Sequence, residues 1–142
     1  TLVVLNHEAK QNKITTFCQI PNDLPEIAAD EGALKEVFFN LLRNAIQAMP
    51  SGGEIHINDH YQPSSHAIQI TVTDTGTGIP QGSFQKIFEP FYTTKQTGTG
   101  LGLSIVKKKL EDMEATIHAE SNGHGASFVI NFPLPEPLLV QT

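Results

Sequence analysis

Cysteine is nearly absent: Cys18 is the only one in 142 residues, so an internal disulfide is excluded. The apolar neighbours of Cys18 predict a small core residue, and a reducing, cytoplasmic setting is compatible with it. Basic residues are scarce too, nine Lys plus Arg against fifteen Asp plus Glu, for a formal charge of -6. That balance disfavours nucleic acid as a partner, because such domains concentrate a basic face. A polyanionic ligand would have to be held by backbone N–H groups, a metal ion and a few placed cations. No apolar run approaches the roughly 20 residues of a membrane span, so no membrane contact is expected of this segment. The six His show no zinc-type spacing. The start, Thr1-Leu2-Val3-Val4-Leu5, has no basic leader, cleavage site or initiator Met, and the chain is expected to be a fragment of a longer protein.

What is present suits one domain around a single core, stable without disulfide or metal. Hydrophobic residues at 39% and charged residues at 17% argue against disorder. Ile14 to Ile20 is strand-like and stops at Pro21-Asn22-Asp23-Leu24-Pro25. Asp30 is a candidate N-cap for a long helix, whose Leu34, Val37, Phe38, Leu41, Leu42, Ala45, Ile46 and Met49 form one buried stripe. Glu36, Asn40, Arg43, Asn44 and Gln47 fall on a different face, and Pro50-Ser51-Gly52-Gly53 ends the helix. Strands are predicted over Glu54–Asp59 and Ala67–Asp74. A long Gly- and Thr-rich connection from Gly76 to Gly102 follows, with an aromatic island from Phe84 to Tyr92 expected to anchor a lid. A second helix starts near Gly100 to Gly102 and buries Leu103, Val106, Leu110 and Met113. Thr116–Ser121 and Ala126–Phe132 read as a hairpin. The predicted fold is an α/β two-layer sandwich, a mixed, mainly antiparallel sheet covered on one face by about three helices.

Three motifs carry chemistry. Asn40 and Asn44, four apart, project from the same helix face, either as solvated amides or as neutral hard ligands for Mg2+. In the second strand Ile68, Ile70 and Val72 alternate with polar residues, and the same register carries Asp74 onto the apolar face. A carboxylate there is costly unless specifically paired. It is either an Asx turn or an acceptor for an amino group such as the adenine N6, with Gly76 and Gly78 letting the backbone come close. Gly98-Thr99-Gly100-Leu101-Gly102-Leu103 runs into a helix, as a flexible entrance or as a phosphate cradle. Its spacing fails the dinucleotide fingerprint, and no P-loop occurs. Between the Gly motifs, Thr94 and Lys95 are expected to stay mobile, and Lys95 is either a solvated lysine or a cation for a terminal phosphate.

In this order and combination the motifs resemble the catalytic and ATP-binding domain of bacterial sensor histidine kinases, within the ATPase group that includes gyrase and Hsp90. Asn40-Leu41-Leu42-Arg43-Asn44-Ala45 resembles the N box, Asp74 to Gly78 the G1 box, Phe88 to Phe91 the F box and Gly98 to Leu103 the G2 box. Gly123-His124-Gly125-Ala126-Ser127-Phe128 is similar to the Gly-rich segment before the last strand. The wording of Phe88 to Lys95 is most like nitrogen-regulatory and sporulation-type kinases. The resemblance covers about residues 13 to 135. It implies a Bergerat-type fold at 13–135, preceded at 1–12 by the end of a linker helix from an upstream dimerisation domain and followed by a tail at 136–142.

It also implies binding of ATP with Mg2+ and transfer of the γ-phosphoryl to a histidine on a separate helical dimerisation domain of the same protein. A cognate response regulator and a homodimeric intact kinase go with that activity. By this carry-over Asp74 holds the adenine, Gly76, Gly78 and Ile79 approach it, and Asn44 ligates Mg2+ assisted by Asn40. Gly98, Thr99, Gly100, Leu101, Gly102 and Leu103 surround the phosphates, and Lys95, Thr94, Arg43, Phe91 and Ser127 are the further nucleotide-binding residues. Asn40 and Lys95 are the expected catalytic participants. The sequence departs from the family pattern at Thr75, where Asn is usual, at Gln47, where many relatives carry a cation, and at Met113-Glu114-Ala115, where His-Gly-Gly is common. No acceptor motif follows His7-Glu8, so His7 is read as a solvated linker residue and the fragment as unable to phosphorylate itself. Two other functions compete: hydrolysis-driven cycling as in gyrase or Hsp90, and an anti-sigma-like kinase acting on serine.

Overall fold

The computed structural model describes residues 13–19, 31–62, 64, 66–80, 82–92, 102–121 and 125–134. Five strands and two α-helices follow one another as β1 (Ile14–Gln19), α1 (Glu31–Gln47), β2 (Gly53–Gln62), β3 (Ala67–Asp74), α2 (Gly102–Asp112), β4 (Thr116–Ser121) and β5 (Ala126–Pro133), with a 3-10 turn at Lys86–Phe88. The sheet order is β1-β2-β3-β5-β4. Only β1 runs parallel to its neighbour, and the other three pairings are antiparallel. The expected linker helix, the Asp30 cap, the Gly-rich stretch 93–101 and the tail lie outside the described residues.

Period-two alternation decides which face of the sheet is covered. Ile57, Val72 and Phe128 align across β2, β3 and β5, and Ile70 aligns with Ile130 and Ile117. The helices close over this face. Val37, Leu41, Leu42, Ala45 and Ile46 of α1 are buried, as are Val106 and Leu110 of α2. A Lys109 to Glu36 ion pair at 3.1 Å ties the two helices at their rim. The opposite face is polar, with Gln69 Nε2 donating to Asn131 Oδ1 at 3.3 Å and the Thr73 and Ser127 hydroxyls sharing a hydrogen bond at 3.0 Å.

The expected strands hold, with β2 three residues longer at its far end. Cys18 is a correction: it is exposed. Its register partner Ile57 is in the core, but among the described residues β1 is the sheet's edge strand with a neighbour on one side only, and alternation alone does not cover an edge. Leu103 and Met113 are half-buried beside the core, whereas Val106 and Leu110 are sealed in it.

The end of α2 resolves the effect of Met113-Glu114-Ala115. Glu114 N–H donates to Glu111 O at 2.9 Å, and Ala115 N–H reaches back to Leu110 O at 2.8 Å, the bond pair of a Schellman cap. That cap needs a left-handed residue, and Glu114 supplies it at φ 59. A side chain in this region costs about 1 kcal/mol. Glu114→Gly is therefore expected to stabilise the fold by about 0.5–1 kcal/mol, after allowance for glycine's greater freedom when unfolded. Denaturant unfolding of the two proteins checks it, and a glycine variant of equal or lower stability rejects the strain.

Candidate functional site

The site begins where β3 ends. Asp74 occupies the buried phase of its strand and is 3% exposed. Its carboxylate Oδ1 accepts the N–H of Gly76 at 2.8 Å and that of Ala126 at 3.3 Å. The first bond is an Asx turn, which is the structural reading of Asp74, and the second is a link to β5. Two charge-stabilising donors offset part of the desolvation of a carboxylate placed among Ile55, Val72 and Phe128.

The turn after Asp74 is wedged between two elements. Thr77 N–H donates to Ala48 O at 3.2 Å, and a Cβ on residue 76 would stand 2.5 Å from that same oxygen, so only glycine lets the turn seat on the end of α1. On the other side Ile79 N–H donates to Ser121 Oγ at 3.2 Å, and Ser121 in turn donates to Gly125 O at 2.7 Å. Thr75 takes a structural part: its Oγ1 accepts Glu54 N–H at 3.0 Å, fastening the turn to β2.

Asn40, Asn44 and Ala48 are successive turns of one α1 face, a line of about 12 Å. Ala48 touches the Gly76 turn at one end. At the other, a Cβ on Gly102, the first residue of α2, would lie 3.3 Å from Asn40 Oδ1. Asn40 Nδ2 donates to Glu36 O at 2.9 Å, which turns Oδ1 toward the start of α2. Asn44 sits half-buried between these two contacts. The α1 face thus joins the Asp74 turn to the helix entrance that follows the Gly-rich stretch. Two amide oxygens of this kind form a donor set that suits Mg2+.

The remaining expected residues are distributed as follows. Gly78 and Ile79 belong to the wedged turn, and Leu103 lies half-buried behind Gly102. Arg43 is exposed with its guanidinium 5.9 Å above the Phe39 ring, one turn back on α1. Ser127 is not brought to Asp74: its register partner is Thr73, so its hydroxyl lies on the polar face of the sheet. Phe91 is no anchor either, being 74% exposed at φ 68. Anchoring falls to Phe88, buried edge-on against Phe128 at 6.3 Å with Lys107 5.8 Å over its ring, and to Tyr92, which donates to Ser83 Oγ at 3.0 Å. Thr94, Lys95, Gly98, Thr99, Gly100 and Leu101 lie outside the described residues. A cleft of about 570 Å3 beside Phe84, Phe88, Lys107, Ile117 and His118 contains none of the expected residues.

Sequence reasoning did not single out Ser121 or the Ala48 carbonyl. Ser121 had a signal of the kind that marked Asp74, since the β4 alternation puts it on the inner face with Ile117 and Ala119. A main-chain carbonyl leaves no such trace.

Residues 29–136 match the family of histidine kinase-, DNA gyrase B-, and HSP90-like ATPases. The chain belongs to this family. It is 38% identical over 131 residues to sporulation kinase A of Bacillus subtilis, covering 92% of this chain and 21% of that protein. The catalytic domain of histidine kinase ThkA superposes with a TM-score of 0.82 at 33% identity, covering 92% of this chain and 86% of that one. ThkA has also been solved in complex with the response regulator protein TrrA, where the match has a TM-score of 0.79 at 30% identity and covers 94% of this chain and 38% of that one. The chain spans about a fifth of the length of the curated relatives it matches.

Gly125 tests the geometry without any ligand. At φ 126 it packs against Asp74, and a Cβ there would overlap the Asp74 carbonyl oxygen. Gly125→Ala is expected to cost about 2 kcal/mol or more of stability. A melting curve unchanged from the parent would show that the hairpin does not bear on Asp74.

Proposed function

We propose that this chain binds Mg-ATP and passes the γ-phosphoryl to a histidine on a separate helical dimerisation domain of its own protein, within a two-component signalling system. The observation that carries the reading is the buried Asp74 carboxylate with its wedged turn, joined along one α1 face to the start of α2. Family membership supports the nucleotide. The kinase relatives and the ThkA complex with TrrA support the signalling role and a response regulator as a later partner. On this reading 13–135 is the catalytic unit, 1–12 ends a linker helix and 136–142 is a tail; the intact kinase is a homodimer.

Asp74 accepts a hydrogen bond from the adenine amino group, and the Gly76–Ile79 turn lies along the purine. Asn44 and Asn40 would hold the Mg2+, which would supply neutralisation of phosphate charge. Backbone N–H groups of 98–103, with Thr94 and Lys95, meet the phosphates at a helix entrance whose dipole favours anions. The P–O bond to the leaving ADP breaks and a P–N bond to the acceptor imidazole forms, with the imidazole proton released. Positioning and charge neutralisation supply the acceleration, and no nucleophile is required of this chain. No helix among the described residues is long and apolar enough to cross a membrane.

Asp74→Asn removes a charge-assisted acceptor and keeps the shape, so ATP affinity is expected to fall about 10- to 100-fold. Calorimetry that finds equal affinity in a folded variant rejects the adenine role. The reaction itself is tested by mixing the chain with labelled ATP and candidate helical domains. Acid-labile, base-stable label on the helical domain is the expected outcome, and ATP consumption without protein label points instead to hydrolysis.

A further inference from the structure

We propose that Ser121 is a positioning residue: its hydroxyl locks the Gly76–Ile79 turn to the β4–β5 hairpin and thereby sets the preference for adenine over a 6-oxopurine nucleotide. The inference rests on the adenine reading of Asp74 and deepens it. Ser121 ends β4 on the inner face of the sheet, paired with Ala126, whose N–H bonds the Asp74 carboxylate. Its hydroxyl spends its proton on Gly125 O at 2.7 Å and keeps a lone pair for Ile79 N–H at 3.2 Å. Donor and acceptor capacity are both used, so the group has a defined orientation.

These bonds close a ring. From Asp74 it runs through Gly76 along the turn to Ile79, across Ser121 to Gly125, and back through Ala126 to Asp74. Ser121 Oγ also lies 2.8 Å from where a Cβ on residue 78 would sit, so hydroxyl and turn are in direct contact at two successive residues. Asp74 is fixed from the strand side by β3. Gly76 and Thr77 are held by Asp74 and Ala48. The far end of the turn has Ser121 as its side-chain tether, so the distance from the carboxylate to Ile79, across the width of the purine, depends on that hydroxyl. Loss of a tether remote from the ligand blunts a geometric discrimination while leaving contacts that do not pass through the turn intact.

The test measures ADP and inosine diphosphate binding by calorimetry for the parent chain, Ser121→Ala and Ser121→Thr, with thermal melting of each. The parent prefers ADP. Ser121→Ala melts near the parent, binds ADP about three- to tenfold more weakly and binds inosine diphosphate as before, so the ratio falls. Ser121→Thr keeps the hydroxyl and the ratio. An unchanged ratio in folded Ser121→Ala, an equal loss for both nucleotides, or a ratio that falls as far in Ser121→Thr overturns the proposal. A parent chain that binds both nucleotides alike overturns the reading of Asp74 itself, a separate result.

Discussion

A carboxylate on the inner face of a sheet constrains everything around it. Asp74 follows Ile68, Ile70 and Val72 in strict alternation and is as buried as they are. An ionised group in that position demands fixed donors, and the main-chain N–H groups of Gly76 and Ala126 donate to its Oδ1. Main-chain donors hold position only if the chain carrying them is held. The turn must therefore double back at Gly76, β5 must start at Ala126, and residue 125 must lie flat against Asp74. Gly76 and Gly125 follow from this arrangement, because a side chain at 76 would strike the Ala48 carbonyl and one at 125 the Asp74 carbonyl.

Helix α1 extends the constraint. Its apolar stripe packs on the sheet, which fixes its rotation and so fixes where Asn40, Asn44 and Ala48 point. One end of that face meets the Asp74 turn and the other meets α2 at Gly102. The core thus determines the separation between the Asp74 turn and the start of α2 at Gly102. Burial of Leu41, Leu42, Val106 and Leu110 is what makes the two ends a single site. The Glu36–Lys109 pair at the rim is exposed and contributes little energy, but it marks the same helix alignment.

Much of this was legible in the residues, and the pattern of what was not is physical. Strand phase and helix stripe depend on local periodicity, so β3 and the inner face of α1 could be read directly, as could the anomaly of Asp74. Cys18 could not, because edge or centre is a property of strand order rather than of neighbours in sequence. Ser127 was assigned through a family segment, whereas its side depends on register against Thr73. Phe88 and Phe91 are alike in composition and opposite in burial, since the turn between them reverses direction at φ 68. The Ala48 carbonyl, a backbone group, has no side chain to announce it.

The position of Asn40 separates phosphoryl transfer from water activation. A base must take a proton from water at a stated atom, and an amide has no such capacity near neutral pH. Here the amide is further committed, its Nδ2 to Glu36 O, with Oδ1 turned toward α2. One turn earlier on the same face, the Glu36 carboxylate sits 3.1 Å from Lys109 Nζ, an ion pair that draws it to the rim. Placing an amide there offers water no base, while leaving a neutral oxygen of the kind that a divalent cation accepts. On the proposed phosphotransfer function that combination has a use, because a domain that keeps its phosphoryl group for an acceptor elsewhere in the protein loses it whenever water is activated first.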